Sequence, residues 1–300
     1  MDKIRYSKPS LTFPSQLQQL IDRGLIVEDP DKALHLLESV SYYRISGYWY
    51  PLLSDKQLHI FKEGSTFETA FQLYCFDREL RLLISSELEK IEVAVRAKMI
   101  YVLSQKYGGF WFENLTLFKD PDKFKSQILG KLKEEYERSD EEFIKAFRDK
   151  YSNPFPPSWM IMEIVSFGTL SKLYSQLAPG KEKRDIAQYF GLPDSVFSTW
   201  LHSIVYLRNV CAHHSRLWNR GLSIKPQSPH SPRKVWLNNR EVRTDKAYFA
   251  LSMTKYLLQT VNPKSRFTVK FTQLLSKYPN VDVKAMGFPD NWDKEPLWQV

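Results

Sequence analysis

Residues 65–107 read STFETAFQLYCFDRELRLLISSELEKIEVAVRAKMIYVLSQKY, with neither a glycine nor a proline from end to end. The apolar positions Phe67, Phe71, Tyr74, Leu82, Ile91 and Val95 advance in mostly helical steps. Ser65 and Glu68 have the spacing of a capping box, in which the serine oxygen accepts the N3 amide and the glutamate reaches back to the cap. Gly108-Gly109 stops the run. A helix of this length would measure roughly 60 Å at 1.5 Å per residue, which leaves room for a kink or a break.

The rest of the chain repeats the helical signal. Ser139 and Glu142 form a second capping box and open a short helix toward Lys150. Between the breakers Asn153-Pro154-Phe155-Pro156-Pro157 and Pro179-Gly180 the pattern predicts one helix over 158–176, followed by a short one over 183–189. Leu192-Pro193-Asp194 starts another, with proline at or near its first turn. Val196, Trp200, Ile204, Leu207 and Cys211 put one apolar face on it. Residues 221–240 read as a loop, and helical pattern resumes near 245–259 and 267–277. Helices are also expected from Phe13 to Arg23 and from Asp29-Pro30 to Val40, then an aromatic-rich turn over 41–50. Aromatics beside Arg44 could stack bases, but at this density filling a core is the favoured reading. The last twenty residues, with Trp292 and Trp298, read as an irregular segment packed back by its aromatics. The expected fold is all-α: a small helical unit over 1–55, a helical domain over 56–260, and a C-terminal helix and tail over 261–300.

Composition narrows the class. With 43% hydrophobic residues the chain can bury a sizeable core, and 11 Gly and 17 Pro are too few for a collagen-like or linker-dominated chain. Two cysteines cannot make a disulfide framework, which favours a reducing compartment, with cytoplasm as the default. No targeting segment and no stretch of the length needed to span a membrane is present.

The net charge of +9 is unevenly spread. Residues 201–243 carry Arg208, Arg216, Arg220, Lys225, Arg233, Lys234, Arg240 and Arg243 against Glu241 alone. A local excess reads as a site for an anionic partner, nucleic acid foremost, although a solvated basic loop fits the charge equally well. That segment begins at Arg208-Asn209-Val210-Cys211-Ala212-His213-His214-Ser215-Arg216. Cutting RNA without a metal needs a base for the 2′-OH proton and a cation for the charge on phosphorus. Histidine suits the first role, since its ordinary pKa lies near neutrality. Arginine suits the second through its planar fork. Asn209 could orient either group. Five residues apart on a helix, Arg208 and His213 differ by about 140° around the axis. A shared site then needs a frayed helix end or a second copy across a two-fold axis. Zinc is disfavoured, because adjacent histidines diverge and no CxxC or HExxH accompanies them. Cys211 lies on the apolar face, which disfavours a Cys–His nucleophile.

These residues carry a resemblance. Arg208-Asn209-x-x-x-His213, with His214-x-Arg216-Leu217-Trp218-Asn219-Arg220, resembles the motif of the bacterial abortive-infection Abi family, its AbiD/AbiF-like branch. Lys8-Pro9-x-Leu11-Thr12-Phe13 and Tyr42-Tyr43-Arg44-x-Ser46-Gly47-Tyr48-Trp49 are similar to its N-terminal signature. Phe76-Asp77-Arg78-x-Leu80-Arg81 and Ser166-Phe167-Gly168-x-Leu170-Ser171 are similar to later segments. The resemblance implies a HEPN-like helical bundle and a metal-independent endoribonuclease. Such an enzyme uses no cofactor and joins two Arg-x(4–6)-His motifs in a homodimer. The motif form is also similar to that of RNA-targeting type VI CRISPR effectors. By that resemblance Arg208 and His213 are catalytic, Asn209 supports them and His214 is the second-choice histidine. Arg216, Arg220, Lys225, Arg233 and Lys234 would hold RNA, and an RNA or protein antitoxin could restrain the enzyme. A non-catalytic RNA-binding protein remains the alternative.

Overall fold

The structure is a computed structural model, and it describes Arg5, Ser7 and residues 9–299. Lys8 of the N-terminal signature lies outside the described residues. The fold is all-α, with one small two-stranded sheet among the described residues. The chain divides into two compact units, Met1–Leu80 with Leu274–Val281, and Arg81–Gln273 with Asp282–Val300.

The first unit begins with α1 (Phe13–Asp22), α2 (Pro30–Val40) and α3 (Tyr42–Trp49). A hairpin of β1 (Leu53–Asp55) and β2 (Ile60–Phe61) follows, then the start of α4 (Phe67–Tyr107). Each of the first three helices begins on a side-chain cap: Thr12, Asp29 and Ser41 accept the amides of Ser15, Lys32 and Arg44. Pro30 stands in the first turn of α2, where a missing N–H costs nothing. The aromatic stretch 41–50 is therefore a helix and not the turn its sequence suggested. Ser41 starts it, and Ile45, Tyr48 and Trp49 give it a buried face. The core joins Leu17, Leu20, Leu37, Ile45, Trp49 and Phe67. Beneath it the Tyr48 hydroxyl donates to the buried Asp77 carboxylate at 2.6 Å.

The cap of α4 corrects the sequence reading. Thr66, not Ser65, accepts the amide of Thr69 at 3.0 Å. Ser65 is taken by backbone pairing: its carbonyl accepts the Ile26 amide and its hydroxyl donates to Leu52 O. Glu68 pairs with Lys32 at 2.8 Å and does not fold back on the cap. The helix then runs unbroken to Tyr107. Gly108 ends it at φ +79°, and Gly109 leaves room for the Trp159 ring, which would lie 2.8 Å from an added Cβ.

The second unit continues α4 and adds α5 (Pro121–Phe124), a π turn over Lys125–Leu129, α6 (Gly130–Arg138) and α7 (Glu142–Lys150). After these come α8 (Ser158–Ile164), α9 (Phe167–Gln176), α10 (Lys181–Tyr189), α11 (Asp194–Ala212), α12 (Ala247–Val261) and α13 (Phe267–Lys277), whose last turn belongs to the first unit. The second capping box is absent. α7 has no side-chain cap, and Ser139 Oγ accepts the Glu141 amide instead. The single helix expected over 158–176 is two. Ser166 caps α9 through the Thr169 amide, and Arg96 of α4 donates to the freed Val165 carbonyl at 3.2 Å. The tail packs back through its aromatics: Trp298 Nε1 donates to Ser252 Oγ, and the Trp298 ring stacks on Tyr248.

Two outcomes test this account. Tyr48→Phe leaves Asp77 short of a charge-assisted hydrogen bond in a buried place, so urea unfolding should show a loss of about 1–3 kcal/mol. Lys183 is buried, with Nζ donating to Leu177 O at 2.7 Å. Burial, then the charge of Lys119, lowers its pKa to about 8. Between that value and the ordinary lysine value the unfolded chain binds more protons, so stability should rise with pH from 8 to 9.5. Lys183→Met should flatten that rise in denaturant titrations.

Candidate functional site

Helix α11 is the centre of the second unit. Val196, Phe197, Trp200, Leu201, Ile204, Leu207, Val210 and Cys211 are buried against α9, α10 and α12. A buried Leu or Phe contributes about 1.5–3 kcal/mol, far more than any exposed pair on this helix, so burial sets its rotation. What stays exposed is a stripe at helical spacing, His202, Asn209, Ala212 and His213, with Ser198 and Val205 half-buried along it.

The loop after α11 is a strap that runs back along the helix. Ser223 Oγ meets the Tyr206 hydroxyl at 3.4 Å near the C-terminal end. Halfway along, Trp200 Nε1 donates to Gln227 O at 2.8 Å and the Gln227 amide donates to Thr199 Oγ1. At the far end the Arg233 amide donates to Gly191 O at 3.0 Å. Gly191, at φ +79°, also accepts the Tyr256 hydroxyl at 2.7 Å, and a Cβ there would lie 2.8 Å from that oxygen.

The motif occupies the C-terminal end of α11. Arg208 and Asn209 are exposed in its last turns, and Arg208 Nη1 approaches Asn209 Oδ1 at 3.4 Å. His213 is the C-cap residue and His214 follows in the left-handed region at φ +54°. The His214 amide donates to Cys211 O and the Ser215 amide to Val210 O. That pair of bonds is a Schellman motif with histidine where glycine is usual. Asn219, at φ +47°, adds a second left-handed residue within the same short stretch. Arg208, Asn209, Ala212 and His213 are thus all exposed at this end of the helix, with Arg208 and His213 about 140° apart around its axis, as their five-residue spacing dictates. Cys211 is buried on the opposite side.

The basic residues do not form one patch. Arg216 and Arg220 are half-buried just past the motif, and Lys225 is exposed further along the strap. Arg233 and Lys234 sit at the N-terminal end of α11, about 28 Å away along a 19-residue helix. Lys234 Nζ donates to Thr260 Oγ1 at 2.5 Å, and burial lowers its pKa. Arg240 donates to Pro229 O, and Arg243 forms a two-pronged pair with Asp245 at 2.9–3.0 Å. Among the described residues no three His, Cys, Asp or Glu side chains gather as a metal-ligand set.

Tyr206 went unremarked in the sequence. Burial pushes its phenol up, but the Ser223 hydrogen bond and the Arg220 guanidinium outweigh it and hold the group below the ordinary tyrosine value. It precedes Asn209 by three residues and His213 by seven, so the helical period was the signal that placed it beside them. His214→Gly separates backbone from side chain: glycine relieves the left-handed conformation, so thermal unfolding should show a gain of about 1 kcal/mol with the turn intact.

No curated protein and no solved structure matches the chain. The family model described as Abi-like protein matches residues 35–219, more than half of the sequence. The match takes in α11 and the left-handed turn after it, ending at Asn219. The chain belongs to the Abi-like protein family, and that membership supports a role in abortive infection.

Proposed function

We propose that the protein is a metal-independent endoribonuclease of HEPN type that cuts single-stranded RNA during abortive infection or as a toxin. The observation that carries this reading is the exposure of Arg208, Asn209 and His213 together at the end of a largely buried helix. His213 would take the 2′-OH proton, and the 2′ oxygen would attack phosphorus. Arg208, steadied by the Asn209 amide oxygen, would hold the phosphate oxygens as negative charge grows on them. The P–O5′ bond then breaks and O5′ needs a proton. One chain has one such motif, so His213 of a second copy supplies it, and the enzyme is a homodimer about the α11 stripe. The products are a 2′,3′-cyclic phosphate, or the 3′-phosphate from its hydrolysis, and a 5′-hydroxyl.

Arg216, Arg220 and Lys225 follow this helix end and supply cations for the RNA backbone on either side of the cut. A partner, RNA or protein, would restrain such a toxin by covering the same helix end. The strap also supports a second reading, in which the protein holds RNA without cutting it.

Purified protein should cleave single-stranded RNA in EDTA, and Arg208→Ala or His213→Ala should each lower the rate by about two orders of magnitude or more. Cleavage that needs an added divalent ion, or that survives both substitutions, overturns the proposal. Salt-dependent binding with the RNA recovered intact selects the second reading.

A further inference from the structure

The first unit holds a cleft of about 680 Å3 that the reading of α11 does not use. One wall is a single face of α3 and its C-cap, where Tyr42, Tyr43, Ser46, Trp49 and the cap residue Tyr50 recur at helical spacing. The other wall is Gln19 of α1 and Arg23 at its C-cap, with His59 from the hairpin turn, over a floor of Leu53 and Phe61.

The side chains here depart from what stability alone would select. Tyr48 and Trp49 fill the core, but Tyr43 is 90% exposed and Tyr50 46%. Leu11, Leu58 and Ile60 are exposed around them, so an apolar and aromatic patch is left open. His59 adopts φ +58°, a conformation that a glycine would hold without strain. The turn is locked by Asp55 Oδ1, which accepts the amides of Gln57 and Leu58 at 2.7 and 2.9 Å. Arg23 is half-buried, and Nη1 donates to the Tyr42 hydroxyl at 3.2 Å, which holds the guanidinium at the aromatic wall. Among the described residues no carboxylate lines the cleft. Lys56 stands at the rim, with Nζ 5.3 Å from the Tyr50 ring centre.

We infer that this cleft binds a nucleotide, the base stacked on Tyr43 and Tyr50 and the phosphate held by Arg23 and His59. Flat aromatic faces beside a guanidinium suit a planar, anionic ligand, and the charge of the walls has the matching sign. Gln19 and Ser46 provide the hydrogen bonds that a base edge requires. The ligand is either a free nucleotide or one residue of a single-stranded RNA. The inference goes beyond the proposed nuclease chemistry and does not depend on it.

The test uses the full chain and two probes: adenosine or uridine 5′-monophosphate, and a 2′-O-methylated five-residue RNA that cannot be cleaved. Calorimetry and tryptophan fluorescence should show saturable binding of at least one. Tyr43→Ala with Tyr50→Ala should weaken it by about 10-fold or more, with the melting temperature unchanged because both rings are exposed. Arg23→Gln should weaken it further. Binding of the monophosphates identifies a free nucleotide, and binding of the oligomer alone identifies RNA. Absence of saturable binding to both probes overturns the inference, as does affinity unchanged in the double tyrosine variant, the result expected if the groove seats a protein segment. Failure here leaves the nuclease reading standing, because that reading is scored by cleavage at Arg208 and His213.

Discussion

Trp200 sits on the buried side of α11, and three parts of the chain converge on its indole. Its ring packs against Trp236, Phe249 and Tyr256 at 5.1–6.4 Å between ring centres, and its N–H is taken by Gln227 O. An indole is too large to bury partway and too polar at nitrogen to bury without an acceptor. Satisfying both demands fixes the rotation of α11 and the line of the strap at once. Every other feature of the candidate site inherits that rotation. The stripe of His202, Asn209 and His213 is outside because Trp200 and its neighbours are inside.

At the C-terminal end of the helix, backbone and side-chain constraints meet. A Schellman turn uses up the last carbonyls through the amides of His214 and Ser215. The chain then turns sharply away and leaves Arg208, Asn209 and His213 uncovered. Left-handed residues at His214 and Asn219 hold strain that glycine would remove, and such strain clusters where side-chain identity matters more than comfort. Charge contributes less than its total suggests. Lys234, Arg240 and Arg243 each have a partner within the fold, and Arg233 lies at the other end of the helix. Near the motif lie Arg216, Arg220, whose guanidinium acts on Tyr206, and Lys225.

The first unit solves a different problem with similar residues. A run of aromatics on α3 is divided by helical period, so Ile45, Tyr48 and Trp49 build a core while Tyr43 and Tyr50 line an open cleft. The same period explains why a reading that assigned the whole run to the core captured half of it. The Tyr48–Asp77 hydrogen bond anchors the buried half, and Arg23 adds charge to the open half beside the His59 ring.

Much was legible in the sequence. Helix positions followed from local periodicity and from Gly, Pro and capping residues, because helical hydrogen bonds close within four residues. The family followed from ordered motifs such as Arg208-Asn209-x-x-x-His213. Where the reading slipped, a distant partner had intervened: Ile26 and Leu52 drew Ser65 away from the α4 cap, and Arg96 took the Val165 carbonyl where a helix was expected to continue. The sequence by itself determined that the chain is helical, that its basic residues gather after Arg208 and that it carries the ordered motifs of its family. Only the tertiary structure decided which of those cations are already spent on Thr260, Pro229 and Asp245, and which aromatics face outward. Pairing and burial depend on residues that lie tens of positions apart, and no local pattern records them.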